Sequence, residues 1–137
     1  MNDRCAAGTG KFLEIMAKNL GFSIDEFGGA ALGAQNDLSI NSMCTVFAES
    51  EVIGLLNKGA QPEDIALAVH RSVVNKISGM YKRLGYSSAP IYLVGGGAPN
   101  SAIAVLLEKE LKQRVIVPHN PQLIVALGAA GIAAQSG

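Results

Sequence analysis

The chain has 137 residues, enough for one domain that buries a hydrophobic core without disulfides. Eleven basic and eleven acidic residues give a net charge of zero, which argues against a nucleic-acid or anionic-membrane surface, because both need clustered Lys and Arg. Hydrophobic residues make up 49% of the chain, yet no apolar run approaches the ~20 residues that span a bilayer. With no signal segment, we expect a cytoplasmic protein with two reduced cysteines.

The first motif places a thiol just before a glycine-rich turn. Cys5 is followed by Gly8, Thr9 and Gly10, and Thr9 is expected to cap the first helix through its hydroxyl. The helix is indicated by apolar residues at helical spacing, namely Phe12, Leu13, Ile15, Met16 and Leu20. The free amides of such a helix start stabilise a thiolate, a phosphate or the sulfides of a cluster.

Two further helices and one strand are expected before position 60. Residues 23–26 fit a capping box for a short helix. Alternation at 38–40 is typical of a short strand. Cys44 then precedes a helix expected over 48–58. The second cysteine therefore repeats the position of the first, at a junction between a loop and a helix.

The second half has the pattern of a βαβ unit. A long helix is expected from Pro62, with an inward stripe of Ile65, Val69, Val73, Ile77, Met80 and Leu84. A buried strand is expected at 91–94, a helix after the glycine run at 95–97, a second strand at 115–117 and a last helix from about Gln122.

The chemistry of these residues is open on spacing alone. Cys5 and Cys44 are each more often buried small residues than ligands, but two thiolates per chain become four in a twofold dimer, the number that a cubane cluster or a structural zinc needs. A disulfide between Cys5 and Cys44 is the other possibility, and it is disfavoured in a cytoplasmic protein. The turn at 8–10 is not a Walker A motif. The glycine run at 95–97 fits a nucleotide site and a tight strand-to-helix turn without ligand equally well.

Glutamates and histidines give weaker signals. Glu49 and Glu51 stand near a helix start, where acids are favoured for electrostatic reasons, so a catalytic role is the minority interpretation. His70 and His119 are separated from both cysteines in sequence. Both histidines are expected to be surface or packing residues.

Four ordered motifs resemble a known family. They are residues 2–10, 44–51, 69–73 and 95–100, and they are similar to the activator component of 2-hydroxyacyl-CoA dehydratases, whose family includes the ATP-binding subunits of benzoyl-CoA reductase. The resemblance implies the C-terminal lobe of an actin-like ATPase fold, an α/β lobe with a small sheet and helices. It also implies a homodimer bridged by one 4Fe-4S cluster, with Cys5 and Cys44 as the two ligands of each chain.

The resemblance further implies ATP-driven transfer of one electron to a partner dehydratase or reductase. Gly95, Gly96, Gly97 and Asn100 match the family's adenosine motif, while Gln122 and the turn Gly8-Thr9-Gly10 are weaker candidates for nucleotide contacts. Family proteins are about twice as long, and their phosphate-binding motifs, which hold Mg²⁺ and the γ-phosphate, do not occur here. The chain is therefore expected to be part of such a protein and not to hydrolyse ATP alone.

The expected organisation is a single domain over 1–137, with a cluster-binding helical region at about 1–60 and a nucleotide lobe at about 61–137. Two other interpretations stay open. One is a dimeric module that holds zinc in the same four thiolates, since thiolates suit both metals. The other is a structural lobe without activity. The acyl-CoA substrate belongs to the partner and is not encoded in this chain.

Overall fold

The computed structural model describes residues 8–40, 45–85 and 89–135, with side chains of the third helix from position 47 onward. These ranges contain six helices and two strands, with four helices before the first strand, in a helix-rich α/β arrangement. In chain order they are α1 Thr9–Asn19, α2 Ile24–Leu32, α3 Thr45–Asn57, α4 Pro62–Arg83, β1 Ile91–Tyr92, α5 Ser101–Leu111, β2 Val115–Ile116 and α6 Ile124–Gln135.

Helix α4 is the centre of the packing, because α1, α2, α3 and α5 all lie against it. Pro62 stands in its first turn, followed by Glu63 and Asp64, where the helix dipole favours acids. The predicted stripe is confirmed at Ile65, Val69 and Val73, which are buried. It fails at Leu84, which is 81% exposed, because this residue caps the helix beyond its last inward turn.

The sheet contains two parallel strands. Ile91 pairs with Val115 and Tyr92 with Ile116, and the amide of Leu93 donates to the Ile116 carbonyl at 2.9 Å. Both strands are shorter than the predicted spans at 91–94 and 115–117. With α5 packed on β2, the predicted β-α-β connection is confirmed.

Three local predictions need correction. Residues 38–40 form no strand; Ile40 is buried in the core, so the alternation reflects one buried face and not strand pairing. Thr9 is the first helical residue, and the N-cap of α1 is Gly8, with no side-chain cap hydrogen bond. Helix α6 begins at Ile124 and buries none of its side chains.

The capping box is confirmed in α2. The Ser23 hydroxyl accepts from the Glu26 amide, and the Glu26 carboxylate accepts from the Ser23 amide. The Ser23 hydroxyl also donates to the Glu26 carboxylate at 2.6 Å. This bond first, and then the bond from the Ser23 amide, hold the pKa of Glu26 below its usual value. The box fixes the start of α2, and Phe27 follows directly into the core.

Candidate functional site

The glycine loop at 95–100 follows the carboxyl end of β1. Gly95 has a φ of +94°, a backbone region that favours glycine. Its carbonyl accepts from the Ala98 amide at 3.2 Å, and the Gly97 carbonyl accepts from the Asn100 amide at 3.2 Å. These turns lead the chain from the strand into α5, as the sequence predicts.

A second segment meets this loop after β2. The Gly95 amide donates to the carbonyl of Pro121 at 2.9 Å, which places the neighbouring Gln122 beside the glycine loop. Gln122 is exposed. Both segments follow the carboxyl ends of parallel strands, the edge at which α/β sheets hold ligands. The structure thus brings together two of the predicted nucleotide segments.

The turn at Gly8, Thr9 and Gly10 stands apart from this edge. It opens α1, which packs on α2 and α4 within the described residues. Among the described residues, no atom lies within 4 Å of the position that a Cβ at Gly8 or Gly10 would take. The backbone is therefore accessible here, but it belongs to the helical side of the molecule.

Asn100 ends the glycine loop and caps α5. Its Oδ1 accepts from the amides of Ala102 at 3.1 Å and Ile103 at 3.3 Å. Its Nδ2 lies 3.0 Å from Nε2 of His70. The predicted adenosine-motif asparagine is therefore fixed on both sides of its amide.

His70 is a residue whose role the sequence did not reveal. It was expected to be a surface or packing histidine, and it is fully buried on α4. Its Nδ1 is 2.7 Å from the Ala66 carbonyl, and its ring lies 4.6 Å from the Phe27 ring. Burial lowers the pKa of His70 and outweighs the two hydrogen bonds, which act in the opposite direction. Two signals were available in the sequence, the helical position beside Val69 and the place of His70 within the motif at 69–73.

The predicted metal ligands, Cys5 and Cys44, lie outside the described residues. Helix α3 is described from Thr45, directly after Cys44. Asn19 at the end of α1 donates to Glu49 in α3 at 3.0 Å, so the helices that follow the two cysteines are joined. This bond gives Glu49 a structural partner. Among the described residues, no three His, Cys, Asp or Glu side chains cluster as metal ligands.

A recess of about 340 Å³ between α4 and α5 is lined by Asp37, Arg71, Val74, Asn75, Leu106, Lys109 and Glu110. It contains charges of both signs, and Arg71 is already paired with Asp37. No predicted site residue lines it. The strand ends are therefore the better candidate for a nucleotide.

Comparison with known proteins defines the class. A model of the BadF/BadG/BcrA/BcrD ATPase family matches residues 1–133. The chain belongs to this family and forms part of its actin-like fold. No helix in the described part of the chain is long and apolar enough to cross a membrane.

Particular relatives are dehydratase activators. The 2-hydroxyisocaproyl-CoA dehydratase activator of Clostridioides difficile is 48% identical over 130 residues, which are 95% of this chain and 48% of the relative. The solved structure of the activator from Clostridium difficile with bound ADPNP aligns with a TM-score of 0.86 at 47% identity, over 94% of this chain and 48% of that one. The solved structure of component A of (R)-2-hydroxyglutaryl-CoA dehydratase from Acidaminococcus fermentans aligns with a TM-score of 0.87 at 39% identity. This alignment covers 94% of this chain and 49% of that one. The chain spans about half the length of these relatives.

Proposed function

We propose that this chain is the part of an ATP-dependent activator that holds the adenosine side of a nucleotide and half of a bridging iron-sulfur cluster. The observation that carries the nucleotide part is the bond from Gly95 to Pro121, which joins two loops at the carboxyl ends of β1 and β2. Family membership supports the same assignment. The activity would be exerted in the cytoplasm on a 2-hydroxyacyl-CoA dehydratase or a benzoyl-CoA reductase-type partner.

The donor set fits a cluster only in a dimer. Cys5 and Cys44 supply two thiolates per chain, and a cubane needs four ligands, so a second copy would complete the set. When bound, the cluster would supply one-electron redox chemistry. This chain's own contribution is to place one thiol directly before α3 and the other a short distance before α1.

The nucleotide part can be tested at Gly96. A Cβ at this position would meet no atom within 4 Å, and its φ lies outside the left-handed region. Gly96→Val should therefore fold normally while its side chain obstructs a nucleotide that approaches the loop backbone. Gly79→Val is the matched control, because Gly79 is also exposed and open but lies on α4.

Calorimetric titration with ADP should show weak binding to the unaltered chain and to Gly79→Val. Gly96→Val should lose at least about tenfold in affinity, equivalent to about 1.4 kcal/mol. ATP should bind no more tightly than ADP, because the chain lacks the family's phosphate motifs. Equal ADP affinity in both variants would place the nucleotide elsewhere, and a strong preference for ATP would reveal an unforeseen phosphate site.

A further inference from the structure

An unbroken series of hydrogen bonds connects the middle of α4 to the start of α5. The Ala66 carbonyl lies 2.7 Å from His70 Nδ1, and His70 Nε2 lies 3.0 Å from Asn100 Nδ2. Asn100 Oδ1 then accepts from the amides of Ala102 and Ile103. The series passes through the end of the glycine loop, because Asn100 is the last residue of that loop.

The carbonyl at one end and the amides at the other determine which atom of the series carries each hydrogen. A carbonyl can only accept, so Nδ1 of His70 carries the hydrogen and Nε2 of the neutral ring has a free lone pair. Amide N–H groups can only donate, so Asn100 presents Oδ1 to α5 and Nδ2 to the ring. Only this tautomer and this amide orientation satisfy all four contacts.

The surroundings leave Asn100 little freedom to move. A Cβ built on Gly28 of α2 would lie 2.8 Å from Asn100 Oδ1, so the helix backbone passes directly beside the amide. Phe27 covers the imidazole ring, and both rings are fully buried. Water is therefore a poor substitute for either hydrogen-bond partner of the ring.

We propose that His70 is a positioning residue for the nucleotide loop: its neutral imidazole holds the Asn100 amide in the orientation that caps α5 and fixes the end of residues 95–100. The proposal rests on the proposed nucleotide function only for its effect on binding. The effect on the loop itself is independent of any ligand.

Protonation of His70 opposes this arrangement. It would put a second N–H on the ring, facing the Nδ2 donor, and turning the amide over would place Nδ2 against the amides of α5. The causes of the lowered His70 pKa are burial first, opposed by the hydrogen bonds to Ala66 and Asn100. On the packed helices α2 and α5, the titratable groups are all exposed, namely Asp25, Glu26, Glu108, Lys109 and Glu110. On α4, Arg71 is paired with Asp37.

Two substitutions separate positioning from mere packing. His70→Gln keeps an acceptor oxygen for Asn100 but cannot be protonated, whereas His70→Leu fills the space and removes the acceptor. ADP titration of the full chain at about pH 7.5 should give an affinity within about threefold of the unaltered chain for His70→Gln and a loss of at least about tenfold for His70→Leu. Equal losses in the two variants would overturn the proposal.

The pH profile is the second readout. Burial lowers the pKa of His70 below its usual 6.5, so the imidazole should stay neutral down to that pH. Between about pH 8 and pH 6.5 the unaltered chain and His70→Gln should therefore lose ADP affinity in parallel, through the protonation of ADP itself, and the unaltered chain should lose more only at lower pH. An extra loss in the unaltered chain that is already complete at about pH 6.5 would overturn the proposal.

Nitrogen NMR of the imidazole tests the loop without nucleotide. A neutral ring protonated at Nδ1, together with a slowly exchanging Asn100 side-chain amide, is expected, and the opposite tautomer would refute the inference. If the unaltered chain binds no ADP while this signature is present, the proposed nucleotide function fails and the positioning role stands.

Discussion

The close approach of α2 to Asn100 gives a sharp test of the packing, in the form of two adjacent alanine substitutions. Gly28 and Gly29 are consecutive in α2, but Gly28 is buried and Gly29 is exposed. A Cβ at Gly28 would lie 2.8 Å from Asn100 Oδ1 and 3.1 Å from Ser101 Oγ, whereas one at Gly29 would meet nothing within 4 Å. The same change should therefore have opposite effects at the two positions.

The expected magnitudes follow from these contacts. Replacing glycine by alanine inside a helix stabilises the fold by about 1 kcal/mol, and this is the whole effect at Gly29. At Gly28 the new methyl group would displace the Asn100 amide. That displacement costs about 1 kcal/mol for the lost cap and about 1 kcal/mol for the lost bond to buried His70. Gly28→Ala should thus be net destabilising by about 1 kcal/mol.

Paired urea unfolding of the two variants measures the difference. The two free energies of unfolding should differ by about 2 kcal/mol, with Gly29→Ala above the unaltered chain and Gly28→Ala below it. If both substitutions stabilise the chain equally, the Asn100 amide can move without loss. In that case its bonds to α5 and to His70 do not hold the loop.

Three other predictions concern the cysteines, the acid limit of stability and self-association. Cys5→Ser or Cys44→Ser should abolish a cluster that reconstitutes, in the unaltered chain, with about four iron and four sulfide per dimer; a normal brown cluster in either variant contradicts the assignment, and a colourless zinc protein favours the zinc module. Hydrogen bonds from the Asn36 amide first, then from its side chain and from Gln35, hold the pKa of Asp64 below its usual 3.8. The stability that Asp64 contributes is therefore complete above about pH 4 and is lost as the pH falls through the lowered pKa; acid titration of unfolding should show a steeper slope in the unaltered chain than in Asp64→Asn, in which Glu26 still contributes. Reduced, metal-free protein should self-associate in light scattering over a dilution series, because α6 is exposed and the described sheet has only two strands, each with an unpaired outer edge; a compact monomer at high micromolar concentration with a cooperative melt argues against this.

Hydrophobic periodicity predicted the buried face of a helix where other elements of this chain cover that face. Ile103, Leu106, Leu107 and Leu111 of α5 recur at helical spacing and are all buried, because α4 and β2 supply their cover. The same reasoning predicted the strand-glycine-helix order at 91–111. A period of 3.6 or 2 identifies a buried face, and this is sufficient for helices that pack locally.

The candidate site was predictable in its residues and not in its connections. The glycine run identified the loop, but no local pattern reveals that Gly95 binds Pro121 across the strand ends or that Asn100 binds His70 from another helix. Both contacts join residues 26 to 30 positions apart. The same limit explains the error at 38–40, where the alternation reflects the burial of Ile40 in the core and not pairing with another strand.

The apolar sequence of helix α6 does not reveal which surface packs against it. It is apolar on all sides and has no charged residue, a composition typical of a buried helix. Yet Val125, Leu127 and Ile132 are each more than 60% exposed, since the described chain offers no surface that covers them. The chain spans about half the length of the relatives it matches. The composition of α6 suits a covered position, and within the described residues no element supplies the cover.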